Sequence, residues 1–91
     1  MTWVDGKEYE GFWKKGKMNG KGNFLWTDGR RYEGEYCNDK KEGYGEFVWK
    51  DGRCYKGQWK NGKQDGRGVF ISKEGKERVG VWSNGKKMRW I

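Results

Sequence analysis

The sequence has no histidine, no proline and only two cysteines among its 91 residues, and each shortage narrows what the chain can do. Without histidine the commonest general base and metal ligand is missing. A structural zinc site takes about four Cys or His ligands, so Cys37 and Cys54 alone cannot build one. The strand assignment given below sets these thiols on the order of 15 Å apart at ~3.3 Å rise per residue, beyond the ~7 Å Cα limit of a disulfide. They read as ordinary thiols, in keeping with a reducing compartment, and neither metal nor cofactor is expected. No apolar run approaches the ~20 residues of a membrane-spanning helix, and Met1 to Lys7 lacks the apolar stretch of a signal peptide, so a cytoplasmic location is expected.

Hydrophobic residues are also scarce, at 32%, which argues against a thick two-layer core. A chain that is 37% charged and so poor in apolar residues would ordinarily be disordered, but disordered chains lack aromatics, and here 18% of residues are aromatic, with seven Trp. Seventeen glycines and no proline suit many positive-φ turns joined by an unbroken hydrogen-bond ladder. Continuous β-structure follows.

A shift of 23 residues lays the sequence on itself. It aligns Tyr9, Tyr32 and Tyr55; Gly11, Gly34, Gly57 and Gly80; Trp13, Tyr36, Trp59 and Trp82; and Phe24, Phe47 and Phe70. Such a period marks an array whose units pack only on their neighbours. The units are 7–29, 30–52 and 53–75, with partial units at 1–6 and 76–91, all in one domain. Tyr32-Glu-Gly-Glu-Tyr36 and Gly43-Tyr-Gly-Glu-Phe-Val-Trp49 alternate residue by residue, giving two strands per unit with rings and glycines on one side. Asp5-Gly6, Asp28-Gly29 and Asp51-Gly52 are strong type I′ signals and are expected to form the tight turns between units. Lys60-Asn-Gly-Lys-Gln-Asp65 reads as the longer connection inside a unit. Short connections throughout make neighbouring strands antiparallel, and the expected fold is all-β: an elongated, single-layer, twisted meander of repeated hairpins.

At these positions the chain resembles the MORN repeat family, whose pattern is close to Tyr-x-Gly-x-Trp, a loop, Gly-x-Gly-x-Phe and Asp-Gly. Three successive units match, and Trp3 matches Trp26 in the partial unit before them. Arg78 stands in place of the Tyr, Ser72 in place of the Trp and Asp39 where Gly16 and Gly62 stand, and after Gly85 the Gly-x-Gly-x-Phe strand is missing. These late departures suit a capping unit or the end of a longer array. The resemblance implies scaffolding in cytoskeletal and ciliary settings, attachment in some relatives to kinase or methyltransferase domains, and a proposed affinity for membranes and phosphoinositides.

No residues carry evident catalytic chemistry. Gly16-Lys-Met-Asn-Gly-Lys-Gly22 is one residue short of a phosphate-binding loop and has Gly22 where Ser or Thr is required, and its recurrence at Gly62 to Gly68 makes it repeat architecture. Glu10, Glu33, Glu35 and Glu46 read as solubilising residues of the polar face. A binding module, not an enzyme, is expected, and it offers two surfaces. The first is the aromatic side: Tyr9, Trp13, Phe24, Trp26, Tyr32, Tyr36, Phe47, Trp49, Tyr55, Trp59 and Phe70. These rings double as the core, yet a single layer has nothing to cover them, so they are expected to floor a groove that takes a helix or extended segment of a protein partner. Trp59→Ala or Trp49→Ala is expected to abolish capture.

The second surface is a stripe of loop lysines, Lys14, Lys15, Lys17, Lys40, Lys41, Lys60, Lys63, Lys86 and Lys87, in a chain of net charge +8. Aligned along one edge, they suit either anionic lipid at a membrane's cytoplasmic face or a solvated edge that discourages aggregation. Single-stranded nucleic acid ranks last, because the cations sit in loops and arginine is the minority. Open strands at the two ends invite edge pairing into a homodimer.

Overall fold

In the computed structural model, which describes residues 2–91, eight strands lie in one sheet in chain order, each antiparallel to the next. They are β1 (Glu8–Lys14), β2 (Lys17–Leu25), β3 (Arg31–Cys37), β4 (Lys40–Val48), β5 (Cys54–Lys60), β6 (Lys63–Ile71), β7 (Glu77–Ser83) and β8 (Lys86–Trp90). The sheet measures 38 × 24 × 16 Å with a radius of gyration of 13.4 Å, against about 12 Å for a compact chain of this length.

Two turn chemistries alternate, and they fall the opposite way round from the expectation. Inside the hairpins, Lys15-Gly16, Asn38-Asp39, Asn61-Gly62 and Asn84-Gly85 have positive φ at both positions, from 50° to 83°, which is the two-residue type I′ turn. At the Asp-Gly connections only the glycine is left-handed, with φ from 95° to 98°. There Gly29 N–H donates to the Trp26 carbonyl (3.2 Å) and Trp26 N–H to the Arg30 carbonyl (2.9 Å), closing a three-residue loop. The aspartate stays out of the left-handed region because its carboxylate accepts the N–H two residues on: Asp28 from Arg30 and Asp51 from Arg53, both at 3.1 Å.

Each of the first three hairpins carries a wide irregularity. Between the pairs Gly11↔Gly22 and Trp13↔Met18, Phe12 alone faces residues 19–21. The same happens at Glu35 and Gln58, and Gly20, Gly43 and Gly66 supply the positive φ at the bulge. Two extra residues, being an even number, leave the alternation intact. Met18, Lys41 and Gln64 therefore stay on the same side as Phe24, Phe47 and Phe70.

The turns are stitched to the preceding bulges. Asp39 N–H donates to the Met18 carbonyl (3.0 Å), Gly62 N–H to that of Lys41 (2.9 Å) and Gly85 N–H to that of Gln64 (2.8 Å). Asp39 is left-handed without being glycine, and its Oδ1 accepts the Met18 N–H at 2.7 Å, a bond that glycine cannot make. The final strand is present although its Gly-x-Gly-x-Phe motif is not: β8 pairs with β7 through Gly80↔Trp90 and Trp82↔Lys87.

Candidate functional site

Glycine pairs create the space in which a one-layer sheet buries its tyrosines. Gly11 faces Gly22, Gly34 faces Gly45 and Gly57 faces Gly68 across neighbouring strands. Tyr9, Tyr32 and Tyr55 lie flat on these pairs, and a Cβ added to Gly22, Gly45 or Gly68 would land on the tyrosine ring. Each hydroxyl donates to the carbonyl three residues on, Phe12 (2.9 Å), Glu35 (2.9 Å) and Gln58 (3.1 Å). Burial pushes the Tyr55 hydroxyl up to about 12 and raises that of Tyr32 well above the usual tyrosine value, the Glu35 carboxylate adding to the latter.

The rings form two continuous rows. One runs Trp13, Tyr9, Tyr36, Tyr32, Trp59, Tyr55, Trp82, Trp90, every successive pair edge to face with centroids 4.8–6.0 Å apart. This is the geometry that aromatic quadrupoles prefer. The other runs Trp3, Phe24, Trp26, Phe47, Trp49, Phe70, Trp90, tilted and 4.4–6.4 Å apart.

The structure divides the eleven rings expected to floor a groove. Tyr9, Phe24, Tyr32, Tyr36, Phe47, Tyr55 and Trp59 are buried, and the tyrosines with relative exposures of 0–1% have no surface to offer a partner. Trp26, Trp49 and Phe70 are partly open, Trp13 is 42% exposed, and Trp3 and Trp90 extend the open row at its two ends. Trp59 belongs to the core: its indole N–H donates to the Gly45 carbonyl (3.1 Å). Trp59→Ala would remove folding contacts along with any binding contact, so Trp49 is the position that tests binding.

Cations sit on the ring faces. Arg30 lies 5.2 Å from the Trp26 centroid and Arg53 5.7 Å from that of Trp49. Each is anchored at 2.8 Å by the aspartate of its own turn, Asp28 or Asp51. Lys7, Trp3 and Asp5 repeat the arrangement more loosely. The recurring Trp-x-Asp-Gly-Arg/Lys string was the available signal for this cap, which the sequence reading did not use.

Of the nine lysines expected along the loop edge, eight are exposed and only Lys15 lies in a turn. Lys14, Lys17, Lys40, Lys60, Lys63 and Lys86 sit in the strand-end pairs that close the turns. Lys87 is exposed, but its ammonium reaches 4.4 Å from the Trp90 ring. Lys41 is a correction: the bulge returns it to the ring face. Its ammonium lies 5.4 Å from the centroids of Trp26 and Tyr32 and 5.5 Å from those of Phe47 and Trp59. Burial, with a contribution from Arg30, holds its pKa below the ordinary lysine range.

Beside Lys41 a cavity of about 280 Å³ opens on the ring face, lined by Phe47, Trp49, Trp59, Lys63 and Gln64. A larger depression of about 660 Å³ lies on the opposite face among Glu10, Lys21, Glu33, Glu35 and Glu46. Among the described residues no cluster of three or more Cys, Asp or Glu could hold a metal, and Cys37 and Cys54 are free thiols.

A one-layer sheet of stitched hairpins, with its rings gathered on one side, defines a repeat protein of the solenoid kind, each unit bonded only to its neighbours. The MORN repeat family model matches residues 9–30, 32–52 and 55–77, and the chain belongs to that family. A comparison with curated protein sequences gave no significant match. The fourth hairpin lies almost wholly beyond the matched residues.

Proposed function

We propose that the protein is a non-catalytic binding module that captures a helix or extended segment of a partner protein on its ring face, as a scaffold of the cytoskeletal or ciliary kind. The observation that carries this reading is the open row Trp3, Trp26, Trp49, Phe70 and Trp90, which crosses the whole sheet with no second layer of the described chain over it, only the cationic side chains that rest on its rings. Tryptophans presented in this way are the residue type most often found as interface hot spots. The test is affinity capture with wild type, Trp49→Ala, and a variant with Lys14, Lys15 and Lys17 changed to Gln. A partner retained by wild type and the lysine variant but lost by Trp49→Ala supports the reading. A partner retained equally by all three sinks it.

A second reading, tethering to anionic phospholipid, is favoured by the exposed lysine pairs Lys14↔Lys17 and Lys60↔Lys63 at one edge of the sheet. Each well-placed lysine would contribute roughly 1 kcal/mol at low salt. Flotation with phosphoinositide vesicles at low salt checks it; no protein in the floated fraction removes it.

A further inference from the structure

The two faces of the sheet carry their charges differently. On the face away from the rings Glu10, Glu33, Glu35 and Glu46 are mixed with Lys21, Lys56 and Arg67, and Glu46 pairs with Lys56 at 3.7 Å. On the ring face, Lys7, Arg30 and Arg53 are each matched by an aspartate of their own turn. Lys41, Arg78 and Lys87 also lie over rings, yet among the described residues none of them has a carboxylate within ion-pair distance. Four ring faces compensate part of the hydration that Lys41 has lost, but an ammonium has three donors and a ring face is a weak acceptor. The cavity beside it is lined by a second lysine, the exposed Lys63 of the turn edge, together with Trp49 and Trp59. An ammonium held over four rings, with a second lysine at the rim of the same cavity, fits an anionic side chain that is followed by an apolar one.

We infer that the segment held on the ring face is acidic, with one of its carboxylates entering the cavity between Lys41 and Lys63 while a neighbouring apolar side chain lies on Trp49. The inference rests on the partner-capture reading above and names the chemistry of the partner. A protein segment fits better than a lipid headgroup for two reasons. The unmatched cations lie back over the rings, whereas a flat bilayer would meet the lysines at the turn edge. The open ring row also continues across the sheet on both sides of the cavity, which suits a linear occupant.

The test is selection of random linear peptides on the immobilised protein, followed by titration of the recovered peptides against four proteins: wild type, Lys41→Gln, Lys21→Gln and Trp49→Ala. Lys41→Gln places at this position the residue that Gln64 already supplies one repeat on, so the fold tolerates it. Lys21→Gln makes the same change of net charge on the opposite face. The expected result is peptides rich in Asp or Glu beside apolar residues, bound roughly tenfold more weakly by Lys41→Gln, nearly unchanged by Lys21→Gln and lost with Trp49→Ala. Peptides lost with Trp49→Ala but without acidic enrichment, or indifferent to Lys41→Gln, overturn the acidic partner while leaving the groove standing. Acidic peptides weakened equally by both lysine variants show only attraction to net charge and also overturn it. Peptides indifferent to Trp49→Ala, or a library with no groove-dependent binder, overturn the groove itself. Lys41-dependent binding of phosphoinositide vesicles but of no peptide makes the occupant a membrane.

Discussion

A tyrosine lying on two glycines is the unit from which this protein is made, and its tolerances are narrow. Gly45→Ala puts a methyl group into the Tyr32 ring. The expected cost is about 1–3 kcal/mol, the usual range for overpacking, read from the midpoint of urea unfolding. Tyr32→Phe keeps the ring and removes the bond to the Glu35 carbonyl, so a loss of about 1 kcal/mol is expected in the same measurement. The buried hydroxyls also limit stability at high pH. Because the folded state favours protonated Tyr55, raised from 10.0 to about 12, its contribution is complete below pH 10 and disappears as pH climbs through about 12. Alkaline unfolding should fall in that window, with tyrosine ionisation followed by ultraviolet absorbance coinciding with loss of the sheet. Alternation in the sequence was enough to place these rings on one side. It could not show that the tyrosines would be wholly buried, because that depends on the glycine opposite each one. Nor could it place Lys41, whose side depends on how many residues the bulge absorbs.

The hairpins were legible as hairpins, but the sequence reading assigned their two kinds of turn in reverse. Asp-Gly and Asn-Gly are equally strong type I′ signals, yet only Asn61-Gly62 and Asn84-Gly85 have positive φ at both positions. What separates them is the side chain: asparagine occupies the left-handed region in its turn, whereas aspartate holds an N–H two residues on. Asp39 makes the distinction testable. Replacing it with Ala keeps a Cβ at φ 68° and removes the bond to Met18 N–H, so a cost of about 1–2 kcal/mol is expected in thermal unfolding. Asp39→Gly loses the same bond but relieves the backbone, and a net change within about 0.5 kcal/mol is expected. The missing glycine motif concealed β8 for a related reason. In that hairpin Trp82 lies over Gly80 and Arg78 stacks on Trp90 at 4.2 Å, so no tyrosine has to be accommodated.

Across the assembled sheet every strand contacts its sequence neighbours and little else, so order is built from local pairings. Opening should begin at the two ends and work inward. Amide hydrogen exchange is expected to be slowest in β4 and β5 and fastest in β1 and β8; uniform protection along the chain would contradict this picture. The meander and its one-sided rings were readable because a strict period repeats the same evidence several times. The set of cations left over the rings without a carboxylate was not, since it depends on which side each cation finally takes.

The even pacing of the hairpins makes the sheet a ruler. Strands lie about 4.8 Å apart, so equivalent rings recur about every 9.6 Å along the direction that crosses them. A helix lying that way climbs about 1.5 Å per residue and would meet matching rings every six or seven residues, roughly two turns. A fully stretched segment would meet them about every third residue. The spacing of large side chains in a binding sequence would thus reveal which of the two shapes it adopts here.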